Sequence, residues 1–508
     1  QEFDNTYHQN GNNNLKDWAP HIDDWQAGDP TWQNGKGKGI IGALNYLAEA
    51  EQNAFSFITN NIGGDGKNVW MYTDPGDFFR FDVSKLAQWE IVFSHADQLG
   101  LYLHFKTQET ENDQLLDGGA LGNARKLYYR ELIARFGHHL ALNWNLGEEN
   151  TQTDNQRIAM AEYFSEHDPY QHHIVIHTYP NDQENVYEPL LGEASQLTGA
   201  SVQTNWSNVH ERTLQWVEES ANADKPWVVA NDEQGNANYG VPPNEGYEGW
   251  NGGSPDVHDI RKAVLWGNLM AGGAGVEYYF GYSLPQNDLN CEDYRSRSDI
   301  WAYNALALDF LQTHIPYWIM RNRNELIGND NNDNDQYCLA NTGSDYVIYL
   351  AEGGSTDLLL NDSANVYQVR WFDPRNGGDL QLGTVDSLQG MGWQTIGDPP
   401  NDPDQDWAVW ISRMEETVNS LQEVSITDLR GYPNPTGGDY WLQNVPVGLG
   451  MVQLFDPLGR LVYESPQRMV LVGEDWQVPM AALPPGLFTL RWSSLEESKS
   501  QYIRILKQ

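Results

Sequence analysis

The sequence predicts an α/β protein in which a (β/α)8 barrel of the TIM type is followed by two small antiparallel β-sandwich domains. The chain has 508 residues, enough for roughly two to four domains. Between residues 40 and 315 short β-rich apolar runs alternate with segments of helical periodicity, a pattern typical of parallel strands joined by helices. After His314 the pattern changes to tight β alternation between glycine, proline and asparagine turns, which favours antiparallel sheets.

Apolar runs in the first region are interpreted as parallel strands that alternate with amphipathic helices. The predicted strands are residues 54–60, 101–107, 142–147, 173–179, 200–206, 227–231 and 276–282. In the helix predicted at 85–99, Leu86, Trp89 and Phe93 lie on one face. The other predicted helices are residues 40–51, 125–136, 155–164, 209–220, 260–271 and 299–313.

The strand count is one short of a closed eight-stranded barrel. The missing strand should precede the helix at 40–51, but residues 1–39 are polar and contain no convincing strand. We therefore expect that the first strand was removed or lies on another chain, together with a domain upstream of it. The barrel is assigned to residues 1–318.

The rest of the chain is predicted to form the two β-sandwiches, residues 319–414 and 424–508, joined by a linker of residues 415–423 that is rich in Glu and Ser. Strands of the first are expected at 346–350, 356–360, 367–372 and 407–412. Strands of the second are expected at 441–444, 451–456, 461–464, 487–492 and 502–506.

Charge and hydropathy exclude several classes of function. The chain has 30 Lys and Arg against 71 Asp and Glu, a formal net charge of −41, which repels a phosphate backbone or an anionic bilayer. No apolar stretch reaches the roughly 18 to 20 residues of a spanning helix. Neither nucleic acid nor membrane insertion is therefore expected. The abundance of Asn, Asp, Gly and Trp suits a secreted or cell-surface protein with a carbohydrate ligand.

Two cysteines and one acidic run are candidate stabilising features of the sequence. Cys291 and Cys338 cannot form a zinc site by themselves, which leaves one disulfide or two buried thiols, and we expect the disulfide, joining barrel and sandwich. Residues 328–335 (GNDNNDND) offer oxygen ligands for a structural calcium ion, but a solvated hairpin tip is the favoured interpretation. We expect no metal site and no cofactor.

Two glutamates at strand ends are the candidate catalytic residues. Reactive groups of such barrels gather at the carboxyl ends of the strands. By strand alternation Asn145 and Glu149 point inward from 142–150, with Glu148 as the alternate, and Asn231 and Glu233 point inward from 226–234. Two carboxylates facing each other across a barrel can act as proton donor and nucleophile on a sugar. A single Glu at a strand end more often pairs with a cation or caps a helix.

Other polar residues at strand ends are predicted to contact substrate. His104 and Lys106, and likewise His177 and Tyr179, point inward by parity; a buried hydrogen-bond network that only stiffens the barrel would use the same residues. The remaining predicted substrate contacts are Asn145, Glu148, Gln203, Asn205, Trp206, Asn231 and Tyr279. A glycine-rich phosphate loop, a G-x-S-x-G elbow and an H-E-x-x-H motif do not occur.

Four segments together resemble secreted bacterial glycoside-hydrolase-like barrels: residues 35–45 (GKGKGIIGALN), 104–112 (HFKTQETEN), 145–150 (NLGEEN) and 229–235 (VANDEQG). This resemblance implies a distant relation to the retaining clan that includes cellulases and apiosidase-like enzymes. It implies an acid/base at the end of strand four, Glu149, a nucleophile at the end of strand seven, Glu233, and an upstream β-sandwich domain. The clan's usual Asn-Glu pair is Glu148-Glu149 here.

The two β-domains carry resemblances of their own. The segment from residues 337–340 (YCLA) through 371–375 (WFDPR) to 406–409 (DWAV) is similar to a β-domain labelled collagen-binding. The tail, with 432–435 (YPNP), 456–460 (DPLGR) and 483–488 (LPPGLF), resembles the C-terminal sorting domain that Bacteroidetes-type bacteria use for type IX secretion. The type IX machinery is thus an implied partner.

Together these observations predict a secreted retaining glycoside hydrolase acting on a polysaccharide or oligosaccharide. A non-catalytic carbohydrate-binding or cell-surface scaffold protein on a degenerate barrel is the alternative. A calcium-stabilised acidic adhesin is a third interpretation.

Overall fold

In the computed structural model the chain divides into two compact units, Gln1–Glu415 and Glu416–Gln508. The structure describes residues 16–63, 69–235, 240–247, 255–281, 286–287, 290–414, 430–434, 436–443, 445–456, 460–471, 474–494 and 500–507. The linker predicted at 415–423 lies outside the described residues, so the boundaries around it stay predictions. Among the helices described, none combines the length and apolar character needed to cross a membrane.

The first unit begins with an α/β region of parallel strands. Its strands are β1 (Ala54–Ile58), β2 (Tyr102–Lys106), β3 (Leu142–Asn145), β4 (His173–Val175), β5 (His177–Thr178), β6 (Gly199–Thr204) and β7 (Val228–Gln234). Its helices are α1 (Lys38–Glu49), α2 (Val83–Leu99), α3 (Asn123–Phe136), α4 (Asp154–His167), α5 (Gln183–Tyr187), α6 (Val209–Asn222), α7 (Val257–Asp259), the π-helix Ile260–Trp266, α8 (Gly267–Met270) and α9 (Ser298–His314).

The parallel strands follow one another in chain order. One sheet has the order β1-β2-β3-β4 and a second has the order β5-β6-β7, with β4 and β5 separated by Ile176 alone. Val276 adds a single parallel bridge to Asn231 beyond β7. Every predicted strand before residue 235 is confirmed within a few residues, whereas the run predicted at 276–282 is reduced to that one bridge.

The outer edge of β1 has no strand partner among the described residues. Tyr102 N–H donates to the Asn53 carbonyl, so odd-numbered residues of β1 turn their backbone groups toward β2. The backbone groups of Ala54, Ser56 and Ile58 therefore face away from it. Between residue 16 and β1 the structure describes short 3-10 and bridge segments and α1, but no strand.

The Val276 segment presents a matching edge. Asn231 N–H donates to Gly275 O and Glu277 N–H donates to Asn231 O, so the backbone groups of Val276 point away from β7. The Ser56 hydroxyl donates to the Glu277 carboxylate across the space between the two edges. We call this space the open seam, bounded by β1 and the Val276 segment.

A six-stranded antiparallel sheet completes the first unit, in the order β13-β12-β15-β10-β9-β8, beside a two-stranded sheet β11-β14. These strands are β8 (Arg321–Asn322), β9 (Gln336–Asn341), β10 (Asp345–Leu350), β11 (Asp357–Leu360), β12 (Val366–Phe372), β13 (Ser387–Gln389), β14 (Gly392–Thr395) and β15 (Trp407–Arg413). One face packs on the π-helix and α9, while the other shares a core with β11 and Ile396.

A buried ion pair joins the α/β region to this sheet. Nε and Nη2 of Arg261, in the π-helix, donate to Asp406 at 2.9 and 2.6 Å. The Tyr349 hydroxyl donates to the same carboxylate at 2.7 Å. The Arg261 guanidinium also lies 4.4 Å from the ring centroid of Tyr303.

The strands of the second unit pair antiparallel, and a single parallel bridge joins Thr436 to Lys507. Sheets β16-β17-β21 and β19-β18-β22-β23, with β20 on β18, enclose one apolar core that contains Leu442, Trp476 and Trp492. The strands are β16 (Arg430–Tyr432), β17 (Tyr440–Gln443), β18 (Gly448–Phe455), β19 (Leu461–Glu464), β20 (Arg468–Val470), β21 (Trp476–Val478), β22 (Gly486–Ser494) and β23 (Ser500–Lys507).

The predicted disulfide between Cys291 and Cys338 is wrong. Both cysteines are free and buried. Cys291 packs in a core with Ile260 and Trp301, whereas Cys338 lies in β9 within the core of the antiparallel sheet. Because the thiols belong to different cores, no disulfide forms between them.

Candidate active site

A cavity of about 1220 Å³ runs through the α/β region, and its polar end lies where the parallel strands finish. The side chains of Lys106, Glu148, Glu149 and Glu233 line that end. The remaining walls are largely apolar and include Ile40, Ala43, Leu44 and Leu47 of α1 on the side of the open seam.

Glu149 enters the cavity from a turn after β3. Asn145 Oδ1 accepts a hydrogen bond from Gly147 N–H at 3.0 Å, and Gly147 has φ 151°. Glu149 itself adopts φ 43°, in the left-handed region that a non-glycine residue rarely enters. Gln203 Nε2 then donates to Glu149 Oε1 at 3.1 Å. The turn and Gln203 together fix the position of this carboxylate.

Glu233 reaches the cavity through a bulge in β7. Val202 pairs with Asn231 but Gln203 pairs with Glu233, so Asp232 is an extra residue on β7. Both Asp232 and Glu233 consequently line the cavity. Gln203, which bonds to Glu149, is the register partner of Glu233 and so lies between the two glutamates.

A charged network in the same cavity consists of His104, Lys106, Glu148 and Glu277. Lys106 Nζ donates to Glu277 Oε1 at 2.8 Å and also bonds to Glu148. His104 contacts the other oxygen of Glu277 at 2.8 Å. Burial opposes ionisation of Glu277, but Lys106 and His104 together hold its pKa well below the usual range. Burial likewise opposes the Lys106 charge, yet its carboxylate partners raise its pKa.

The two candidate catalytic carboxylates have different surroundings. Burial raises the pKa of Glu149, the Gln203 hydrogen bond opposes this, and the nearby Glu233 charge raises the pKa further. Burial would lower the pKa of His177, but the Glu233 carboxylate, 3.6 Å from His177 Nε2, raises it above the ordinary value. Burial and the Glu233 charge therefore favour the protonated form of Glu149, whereas Glu233 faces the His177 imidazole.

Most predicted substrate contacts are gathered around this cavity. His104, Lys106, Glu148 and Tyr279 line it, His177 faces Glu233, and Gln203 holds Glu149. Asn145 lies one layer deeper, with Nδ2 3.0 Å from His104 Nε2. Tyr179 is 37% exposed, and its hydroxyl lies 3.3 Å from Thr110 Oγ1 at the rim of the cavity.

Three further predicted contacts also lie outside the cavity lining. Asn231 is fully buried behind the sheet, where Nδ2 donates to Val202 O at 3.0 Å, because the bulge breaks the expected alternation after this residue. Asn205 is exposed and its carbonyl accepts from Asn208 at the start of α6. Trp206 packs against the core that contains Val209.

Three polar residues of the site were not predicted from the sequence: Glu277, Asp232 and Ser201. Glu277 could have been noticed, because it is a lone acid within an apolar run, residues 274–280 (AGVEYYF). Simple strand alternation places Asp232 on the face opposite to Asn231 and Glu233, which were predicted to point inward. Ser201 hydrogen-bonds to Asp232, and no spacing rule in the sequence pointed to it.

One cluster at the site has metal-like spacing: the donor atoms of His104, Asp232 and Glu277 lie within 4.8 Å of one another. Lys106 already supplies a positive charge 2.8 Å from Glu277, which disfavours a second cation there. In the loop considered for calcium, Asn329 instead bonds to the backbone of Asp333 and Gln336. Structural calcium stays an untested prediction.

Comparison with known proteins gives one family match and a set of solved structures with similar folds. Residues 323–412 match the family described as "Putative collagen-binding domain of a collagenase". No curated protein matches the chain. A glycoside hydrolase family 5 structure from Bacteroides vulgatus is 14% identical with a TM-score of 0.56, covering 76% of this chain and 87% of that one. A "putative glycoside hydrolase" from the same organism is 15% identical with a TM-score of 0.51, covering 76% of each chain.

At these identities the likeness concerns the fold. The protein combines a parallel-sheet α/β region with antiparallel β sheets, and solved glycoside hydrolases have similar folds.

Proposed function

We propose that the chain is a secreted glycoside hydrolase that cleaves a polysaccharide or oligosaccharide by a retaining double displacement. The observation that carries this proposal is the placement of Glu149 and Glu233 on one cavity with Gln203 between them. The raised pKa of Glu149 suits a general acid, which must hold its proton near neutral pH.

In the proposed first step a Glu233 oxygen attacks the anomeric carbon. The bond from that carbon to the leaving oxygen breaks, a glycosyl ester forms on Glu233, and the Glu149 proton passes to the leaving oxygen. In the second step Glu149 takes a proton from water, whose oxygen attacks the anomeric carbon and releases Glu233 as a carboxylate. His177 would stabilise Glu233 in its charged form.

Substitution of the two glutamates tests the proposal. We expect Glu149→Gln to lower kcat/KM about 10²–10⁴-fold, the usual contribution of a general acid. Glu233→Gln should abolish turnover and should prevent covalent labelling by a 2-fluoroglycoside. The measurement is product release from a panel of glycans and aryl glycosides.

The matched control is Glu131→Gln, which removes a surface carboxylate paired with Arg135 and should leave activity unchanged. An aryl glycoside with a good leaving group should restore turnover in Glu149→Gln but not in Glu233→Gln. Full activity of Glu233→Gln would refute the assignment. Glycan binding without turnover in the parent would favour a non-catalytic carbohydrate-binding or scaffold protein.

The proposal includes a barrel architecture. With β4 and β5 counted as one interrupted strand, the parallel strands and the Val276 segment would occupy seven of the eight positions of a (β/α)8 barrel. The open seam is the eighth position, and a strand from outside the described residues would fill it. An experimental structure with β1 paired directly to the Val276 segment would contradict this.

Export by type IX secretion is also part of the proposal. The resemblance of residues 424–508 to a sorting domain supports it, as does their placement within a compact unit of their own. We expect the full chain to reach the medium or cell surface of a bacterium with this system, and a chain ending at residue 414 to stay in the periplasm. Equal export of both, measured by fractionation and immunoblotting, would contradict it.

A further inference from the structure

A cluster of two histidines and two carboxylates lies at the opposite end of the sheet from the candidate active site. Glu90 and Asp97 project from α2, and His138 and His139 follow α3. His139 stands three residues before β3, whereas Glu149 follows its end. The cluster is therefore separate from the glutamates to which catalysis is assigned.

The ligand atoms of Glu90, His138 and His139 lie close together. Nε2 of His138 lies 3.2 Å from Glu90 Oε1, and Nε2 of His139 lies 3.2 Å from Glu90 Oε2. One donor atom from each of the three groups lies within 4.8 Å of the others. Ligands about 2.0–2.1 Å from a tetrahedral zinc ion lie roughly 3.3–3.4 Å apart, so small rotations of these side chains would bring one atom of each to a shared ion.

His139 is held in the orientation of a metal ligand. Its side chain is 1% exposed, and its Nδ1 lies 2.6 Å from Asp97 Oδ2. His172 Nε2 lies 2.9 Å from the His139 carbonyl, and the Phe93 ring stands edge-on to the imidazole. A carboxylate on one imidazole nitrogen fixes the proton there and leaves the other nitrogen free to bind a metal, as in zinc sites.

The space between His139 and Glu90 can hold a bridging ion. His139 Nε2 and Glu90 Oε2 lie 3.2 Å apart, so either a proton or a metal ion can join the two atoms. Ser94 Oγ donates to Glu90 Oε1 at 3.0 Å and does not reach the other oxygen.

We infer that Glu90, His138 and His139 bind a zinc ion, with Asp97 orienting His139. Two imidazole nitrogens and one carboxylate oxygen form a ligand set typical of Zn²⁺. His138 is 51% exposed, so solvent can supply the fourth ligand. Because the ligands come from α2 and the segment after α3, the ion would tie these two parts of the first unit together and stabilise it.

The competing location is the cluster of His104, Asp232 and Glu277 in the cavity. There Lys106 and His104 already balance the charge of Glu277. At the Glu90 cluster no Lys or Arg is paired with either carboxylate in the described part of the chain. The zinc ion is therefore assigned to the Glu90 cluster.

Calorimetric titration of ZnCl2 into the chelator-treated full chain tests the inference. We expect one site of micromolar affinity or tighter, and a Tm rise of about 3 °C when zinc exceeds Kd 100-fold. His138→Ala and Glu90→Gln should each remove the site. Asp97→Asn should weaken binding about 10–100-fold, as loss of an outer-shell partner does.

His167→Ala is the matched control, since this exposed histidine stacks on Tyr163 away from the cluster, and it should bind zinc like the parent. Co²⁺ in place of zinc should give tetrahedral visible bands in the parent that are lost in His138→Ala. Absence of one-site binding, or parental affinity in His138→Ala and Glu90→Gln, would overturn the inference. Binding that is lost in Asp232→Asn instead would place the metal in the cavity and would also overturn it.

Discussion

Glu149 owes its position in the cavity to a turn rather than to strand alternation. β3 ends at Asn145, and Gly147 and Glu149 have positive φ angles. Strand alternation predicted that Glu149 faces the interior, and Glu149 lines the cavity, but the turn that directs it there could not be predicted from alternation. Similarly, Glu233 was selected together with Asn231, yet the bulge at Asp232 leaves Asn231 behind the sheet.

The hydrogen bond between Gln203 and Glu149 leads to a prediction about pH dependence. Gln203 donates to the ionised carboxylate and so lowers the pKa of Glu149 against the raising effects of burial and Glu233. In Gln203→Leu this pKa should rise, so Glu149 keeps its proton to higher pH. The basic limb of kcat/KM against pH should therefore move upward.

A basic limb that stays in place in Gln203→Leu, with activity retained, would show that Glu149 is not the general acid. The corresponding change at the buried Gln183, which donates to the Gln203 carbonyl, is unsuitable as a control because it touches the same residue.

At the scale of elements, α1 explains the glycines of residues 35–45. A Cβ at Gly39 would lie 1.9 Å from the Asp17 carbonyl oxygen, and a Cβ at Gly42 would lie 1.9 Å from that of His21. The two glycines therefore allow the segment before α1 to pass directly over the helix. The sequence predicted the helix from its apolar periodicity but not this contact, because the contacting backbone gives no compositional signal.

β9 shows why some strands were not predicted. Tyr337, Cys338, Leu339 and Ala340 are all buried, because the sheet is covered on one face by helices and on the other by β11 and Ile396. A strand buried on both faces lacks the alternation that the prediction used. The neighbouring β10 is buried on both faces too, but its residues 346–350 (YVIYL) are almost all aromatic or β-branched, and that composition predicted the strand.

At the scale of the whole molecule, contacts between residues far apart in the sequence could not be predicted. Arg261 and Asp406 are 145 residues apart and are both almost fully buried. The sequence instead predicted that a disulfide between Cys291 and Cys338 would join the two regions. The ion pair between Arg261 and Asp406 joins them, and no sequence motif predicts such a pair.

This ion pair gives a stability prediction. Asp406→Asn would leave the Arg261 charge buried without its partner, which costs about 3–5 kcal/mol and should lower Tm by roughly 4–6 °C in a unit of this size. Differential scanning calorimetry measures the change.

Asp404→Asn changes an exposed carboxylate two residues away and should stay within about 0.5 kcal/mol of the parent. If Asp406→Asn melted together with this control, the Arg261 contact would contribute little to holding the α/β region on the antiparallel sheet.

The open seam has a consequence for handling the protein. On β1 the backbone groups of Ala54, Ser56 and Ile58 have no strand partner among the described residues, and an unpaired edge can recruit an extended peptide. Concentrated samples of the chain would thus be prone to edge-to-edge self-association.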